Sequence, residues 1–382
     1  MKKIGIIVEY SPFHNGHIYQ IKKIKEMYPD SLIIIVMSGN FTERGIPSII
    51  DKWDKCEIAL KYGIDLVIEL PFVFATQSAD IFAKGAISIL KELKVDYLVF
   101  GSESNDIKML ENYADISLSK DYNNEVKNNN KSKDNYPTIL NKAFKKFNLD
   151  GIKDANDLLG LSYIKEIKRQ KASIIPISIE RTNDYHSLNL DTISSATSIR
   201  NAIINKQNID KTIPKETKNK LNKNIYLTED YFKLLKYKIL TSDDLDIYQT
   251  VPNKFTDKIK KEAINSNSWE ELVIKLKSRN YTYNRINRML LHILCNFTKD
   301  NANSFKDIEY IRVLGMSKNG KSYLNKIKKE VNIPIITTFS KGNSKMLEYE
   351  KTTSNVYYSI KDNNSNLLKK EYSEKLKLKE DV

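Results

Sequence analysis

The sequence predicts an α/β fold: a parallel sheet covered on both faces over residues 1–205, followed by a mainly helical, basic part over residues 206–382. Three observations carry this. Short apolar runs rich in β-branched residues recur near residues 4–8, 31–37, 64–70 and 95–100, and stretches with helical spacing separate them. After about Asn205 that alternation stops and amphipathic helical patterns replace it. The 382 residues also suffice for two domains, or for one large α/β domain with an appendage.

Ile4 to Val8 reads as a buried first strand, and Ser11-Pro12 breaks it. Helical spacing starts after Gly16, with Ile18, Ile21 and Ile24 on one stripe. The intervening loop sits at the carboxyl end of a strand and the amino end of a helix. Open α/β sheets bind ligands there, and free N–H groups with the helix dipole favour phosphate. His14 and His17 lie in this loop with Gly16 between them. Gly16 lets the backbone come close to a phosphate, and the imidazoles can donate to phosphate oxygens. A pair of surface histidines is the bland alternative. Their position directly after the first strand favours the phosphate site.

Ser31 to Met37 is a second buried strand, ending in the glycine-bounded loop Ser38 to Gly45. Asp51 caps a helix to Tyr62, and Ile64 to Leu70 is a third strand closed by Pro71. Ser78-Ala79-Asp80 opens a helix to about Leu93, and Val95 to Phe100 is a fourth strand ending in Gly101-Ser102-Glu103. The strand ends at Tyr10, Ser38 and Gly101 then gather at one edge of the sheet. Residues 119–136, rich in Asn, Lys, Asp and Ser, read as a solvated loop or mobile insertion. Ala155 to Ile167 is helical, with Asn156 at its start as a cap. Ala172 to Glu180 is a strand delivering Arg181-Thr182, where an arginine can grip phosphate through its planar fork. Ser195, Thr197 and Arg200 stand at another helix start, which alone reads equally as a capped helix with an exposed arginine; paired with the His14/His17 loop, its hydroxyls, amides and guanidinium suit a polyphosphate. His186, in a polar loop upstream, reads as structural or solvent-exposed.

The second half reads as helices around Tyr231 to Ile239, Asp257 to Ala263, Trp269 to Leu276 and Asn284 to Leu294, then a lysine-rich helix from Lys318 to Lys329. Ile333 to Phe339 is a last short strand, and the tail after Asn363 is a terminal helix or frayed. Lys275, Lys277, Arg279, Arg285 and Arg288 surround Tyr281 and Tyr283, with Arg312 beyond them. Cations interleaved with aromatic rings suit phosphate contacts and base stacking, although a solvated basic surface has the same composition.

Composition adds limits. Hydrophobic residues make up 41% and aromatics 10%, which excludes a disordered chain. The net charge of +14 suits a polyanionic partner, although a lysine-rich proteome also produces such an excess. Cys56 and Cys295 are far apart and have no metal-ligand spacing, so free thiols in a reducing compartment are expected. Met1-Lys2-Lys3 leads straight into the first strand and no apolar run reaches transmembrane length, so a cytoplasmic location is expected.

His14-Asn15-Gly16-His17 after a first strand resembles the nucleotide-binding signature of the nucleotidylyltransferase superfamily, which cleaves ATP between the α- and β-phosphates. The longer string Glu9 to His17 resembles the tRNA(Met) cytidine acetate ligase family. Strings similar to the family's recur in order at Ser38-Gly39-Asn40-Phe41, Asp51-Lys52-Trp53, Glu69-Leu70-Pro71, Phe74 to Asp80, Arg285 to Leu290 and Arg312-Val313-Leu314-Gly315. Ser11, Thr42-Glu43 and Ala155 depart from the usual Asn, apolar-Gln pair and Pro.

The resemblance implies a Rossmann-like nucleotidylyltransferase domain of the HUP type over residues 1–205 and a tRNA-binding region after it. It implies ATP-dependent formation of N4-acetylcytidine at the wobble position of elongator tRNA(Met), with acetate activated as acetyl-adenylate. His14 and His17 would be catalytic. Ile7, Val8, Glu9, Tyr10, Phe13, His14, Gly16, His17, Gln20, Gly101, Asn156, Arg181, Thr182, Ser195, Thr197 and Arg200 would surround ATP. Mg²⁺ would accompany ATP, although no carboxylate cage is visible. Two other classes share parts of this pattern. An adenylyltransferase acting on a phosphorylated metabolite has both phosphate motifs but no use for the basic second half. A non-catalytic RNA-binding protein has no use for His14, His17 and Arg200.

Overall fold

The computed structural model describes residues 1–129, 134–181, 192–361 and 365–381. Among the described residues, eight strands form one sheet: β1 (Lys3–Val8), β2 (Leu32–Ser38), β3 (Leu66–Leu70), β4 (Tyr97–Ser102), β5 (Ile175–Glu180), β6 (Ile311–Met316), β7 (Ile335–Ile336) and β8 (Lys377–Leu378). The order is β5-β4-β1-β2-β3-β6-β7, with β8 also pairing with β6. β1 to β5 are mutually parallel, as the alternating pattern predicts. β6 runs antiparallel to β3. The chain winds one way from β1 through β2 to β3, then returns to place β4 and β5 on the other side of β1. The crevice beyond the carboxyl ends of β1 and β4 is therefore a topological switch point, the place where such sheets bind ligands.

The strands alternate their side chains between two cores. Ile34, Val36, Leu66, Ile68 and Leu98 join one cluster; Ile33, Ile35, Met37, Val67 and Val99 join the other, with Ile4 and Ile6. Burial on both faces explains why β2 is a continuous apolar run. The Asn15–Met27 and Lys52–Lys61 helices cover one face; Ala79–Glu92 and Ala155–Arg169 cover the other.

The carboxy-terminal region is helical up to Ser304, but it is continuous with the sheet's core. Ile286, Leu290 and Trp269 belong to the same cluster as Ile34 and Leu98. The Tyr357 hydroxyl donates to the Ser48 carbonyl at 2.7 Å, and the Tyr226 amide donates to Ile49. From Ile311 onward the chain returns to the sheet itself. Residue 205 marks a change of chain pattern, while the sheet and its core extend past it.

Three expectations are corrected. Residues 120–129 form a helix, Lys120–Asn129, anchored by the buried Tyr122 ring against Phe144. The tail is docked through short helices and β8, with Glu371 buried inside. Arg312, expected to face RNA, is 3% exposed. Its guanidinium lies 3.1 Å from Glu69 and 2.5 Å from Glu371. Lys52 joins the same two carboxylates from a fully buried position. Burial and Glu69 push the adjacent Glu350 up to about 8, so at neutral pH two cations face two carboxylates. This cluster ties β3 and the Lys52 helix to β6 and the tail, and leaves Arg312 no charge to offer RNA.

Candidate functional site

His14 is the N-cap of the Asn15–Met27 helix, in extended conformation. Its Nδ1 accepts the Gly16 amide at 3.1 Å. The His14 amide in turn donates to His17 Nδ1 at 3.1 Å, so the two imidazoles close a capping box. The ring centroids lie 3.8 Å apart, with the planes tilted by 31°. Because both Nδ1 atoms accept, each neutral ring carries its proton on Nε2, ready to donate. Burial first, then Arg181 and Arg200, pull His14 down to about 3. Burial, then His14 and Arg181, hold His17 well below its usual value.

At neutral pH the two rings are therefore uncharged donors. In the free protein, proton NMR is expected to show three of the four imidazoles, the buried His292 among them, neutral from pH 8 to below pH 5; titration of all four near pH 6.5 would contradict this. The linkage sign follows. Below pH 6.5 the unfolded chain takes up protons that these folded rings refuse, so this contribution to stability is full above pH 6.5 and is lost as pH falls toward 3.

The second helix start faces the first across the crevice. Ser195 caps the Ala196–Ile204 helix by accepting the Ser198 amide. Arg200 donates to the Ser11 carbonyl at 2.6 Å and to Thr197 Oγ1 at 3.2 Å. Arg44, from the loop after β2, donates to the same Thr197 oxygen at 2.6 Å. Two helix N-termini, two neutral imidazoles and the guanidiniums of Arg44, Arg181 and Arg200 thus border one cavity of about 540 Å³. This set fits a polyphosphate.

The loop geometry has buried supports. Lys55 donates to the carbonyls of Glu9, Ser38 and Gly39 at 2.9, 2.8 and 2.8 Å, fixing the ends of β1 and β2. Burial drags its pKa to about 7, yet three carbonyl acceptors match the three N–H groups of an ammonium. On the far side, Asp157 accepts the amides of Glu103 and Ser104, while Asn156 donates to Glu103 Oε1 at 2.5 Å. The β4 loop is thereby bound to the Ala155–Arg169 helix. Asp154 occupies the cap position expected for Asn156.

Among the residues expected to surround the nucleotide, Ile7, Val8, Glu9, Tyr10, His14, Gly16, His17, Gln20, Gly101, Asn156, Arg181, Ser195, Thr197 and Arg200 line this cavity. Phe13 does not: it is fully buried beneath the histidines, 5.4 Å from His17 and 4.8 Å from Tyr10 between ring centroids. Phe13 supports the loop, and the apolar residue within the motif is the signal for that role. Thr182 and His186 lie outside the described residues. Arg44 is a further residue of the site without that signal: it stands in the loop past Ser38, the end of β2, whereas Arg181 directly follows β5.

The basic set divides. Arg285 and Arg288 line the same cavity, with Asn280, Thr282 and Asn284. Arg288 binds the carbonyl and carboxylate of Glu43 at 3.0 and 2.7 Å, and Gly45, at φ +77°, lets the loop press on the Arg288 backbone. Burial pushes Glu43 up, against the pull of Arg288. Arg285 lies 4.8 Å over the Tyr281 ring. Arg279 is 76% exposed beside Asp134, Lys277 is exposed, and Lys275 pairs with Glu271.

A family model described as HIGH Nucleotidyl Transferase matches residues 1–372. The tRNA(Met) cytidine acetate ligase of Geobacillus sp. (strain WCH70) is 36% identical, covering 98% of each chain. That of Oceanobacillus iheyensis is 38% identical over 94% of this chain and 95% of its own. The crystal structure of Thermotoga maritima TmcAL without ligand superposes with a TM-score of 0.91 at 28% identity, covering 99% of both chains. The form of that protein bound with alpha-thio ATP gives 0.89 at 28% identity, covering 99% of this chain and 100% of its own. With a phosphate-binding crevice at its switch point and full-length likeness on both sides of that crevice, this chain belongs to the HIGH nucleotidyl transferases and, among them, to the tRNA(Met) cytidine acetate ligase family.

Proposed function

We propose that this chain uses ATP and acetate to make N4-acetylcytidine at the wobble position of elongator tRNA(Met). The observation that carries the reading is the shared cavity. Its lining brings the histidines and arginines suited to a triphosphate together with Arg285 and Arg288 from the basic helical region. The names of the relatives and the nucleotide analogue bound to the Thermotoga protein support it.

In the first step an acetate oxygen attacks the α-phosphorus of ATP. The bond to the bridging oxygen breaks, giving acetyl-adenylate and pyrophosphate. The Nε2–H groups of His14 and His17 donate to oxygens that gain charge as that bond breaks. Arg44, Arg200 and the amides at Gly16 and Ser195 hold the leaving pyrophosphate. Gly101, Asn156, Ile7 and Val8 form the nucleoside side. In the second step the cytidine N4 attacks the acetyl carbon. AMP leaves with the electron pair of the broken C–O bond, and the N4 proton passes to solvent. Neither step needs a covalent enzyme intermediate. Both cysteines are buried, and burial holds their thiols well above the usual range, so they stay protonated.

The phosphate end offers guanidiniums and imidazole donors, and no cluster of three metal-ligating side chains occurs among the described residues. That lining does not fit a protein-held divalent ion. Mg²⁺ is expected to travel on the phosphate oxygens and water. Among the described residues no helix is long and apolar enough to cross a membrane.

The test is incubation with ATP, labelled acetate and total tRNA, followed by nucleoside digestion. Label is expected in N4-acetylcytidine from one tRNA. An unlabelled tRNA pool, with pyrophosphate released when a phosphorylated metabolite is supplied, would overturn the reading.

A further inference from the structure

The cavity has a second, chemically different part. Three helices, Ala79–Glu92, Tyr136–Lys145 and Ala155–Arg169, contribute Phe82, Tyr136, Leu140, Leu158 and Leu161 to its wall, and Phe100 of β4 adjoins them. The charged residues these helices bring to the cavity are Asp80 and Lys165. Lys165 Nζ lies 2.8 Å from Asp80 Oδ1, with the side chains 13% and 34% exposed. Asp80 sits in the first helical turn, where the dipole favours a negative charge. A carboxylate in an apolar wall is a poor neighbour for a triphosphate. It is a good one for a flat, neutral heterocycle with an amino group.

The pair presents an acceptor and a donor side by side. Cytosine presents the complement, an N4 amino donor next to the N3 acceptor. Uracil reverses both, with the O4 acceptor next to N3–H. We propose that Asp80 and Lys165 read the target base: Asp80 accepts from N4, Lys165 donates to N3, and the ring lies against Phe82 and Phe100. This rests on the acetylation reading above and names how its RNA substrate is selected. Adenine carries the same donor-acceptor edge. Its expected place is beside Gly101 and Asn156 at the switch point, so the test must separate the two bases.

The test uses the full chain and its Asp80→Asn and Lys165→Met variants. Two quantities are read: acetate-dependent exchange of labelled pyrophosphate into ATP without RNA, and the Kd for tRNA(Met) bearing a wobble cytidine or a wobble uridine. The unaltered protein is expected to prefer the cytidine form about tenfold. Asp80→Asn should abolish the preference, because an amide can turn either its carbonyl or its NH₂ to the base. Exchange should stay within about twofold in both variants, which also reports an intact fold. A raised KM for ATP in the exchange reaction would assign the pair to adenine and overturn the proposal. An unchanged cytidine preference would make the pair a structural tie and also overturn it. No acetate-dependent exchange by the unaltered protein would defeat the functional reading itself, a failure visible before any variant is made.

Discussion

Replacing His14 with alanine is expected to lower acetate-dependent pyrophosphate exchange by about 10²–10³-fold, the usual cost of losing one well-placed donor to developing charge. Two effects must be separated, because His14 is also the N-cap of its helix. A lost cap costs roughly 1 kcal/mol of stability and no chemistry. His14→Asn restores a capping side chain without placing Nε2–H in the cavity. It should recover the melting temperature but not the exchange rate. Recovery of both would reduce His14 to a cap. The His14→Ala/His17→Ala double variant should be far from additive, since the two adjoining rings cap the helix jointly.

The second large effect is on stability. Arg312→Met is expected to cost about 3–5 kcal/mol, because it leaves Glu69 and Glu371 buried with Lys52 as their remaining cation. The melting temperature should drop by about 4–6 °C. Arg279→Met, at an exposed position, should change stability by less than about 0.5 kcal/mol. Calorimetry of the two variants side by side checks this. Equal melting temperatures, with RNA binding lost only in Arg312→Met, would return Arg312 to the RNA surface.

These two arginines show where the chain's pattern is legible. Charge and tyrosine spacing place Arg279 and Arg312 in one class, yet Arg312 is buried because its partners arrive from β3 and from the tail. Burial of a charge is decided by distant segments, which local periodicity cannot see. The same holds for β6: a charged residue inside Ile311-Arg312-Val313 hides a fully buried strand. The Lys120–Asn129 helix is polar almost all round and is held by one aromatic anchor, so it carries no period to read. By contrast, β1 to β4 and the helix starts at His14 and Ser195 were legible. Their signals, apolar runs ended by breakers and capping side chains, are local. Most of the nucleotide pocket follows from those starts. Arg44 and the Asp80–Lys165 pair do not, because their place depends on how a loop and two helices far apart in sequence converge on the cavity.

The most direct measurement of the central claim is a two-stage single turnover. The protein is mixed with ATP and labelled acetate without RNA, the bound label is isolated, and tRNA(Met) is then added. Acetyl-adenylate is expected on the protein with one pyrophosphate released, and the label should move to a wobble cytidine as AMP appears. A cavity that holds no labelled adenylate, or one that discharges it as free acetate while the cytidine stays unmodified, would contradict the account.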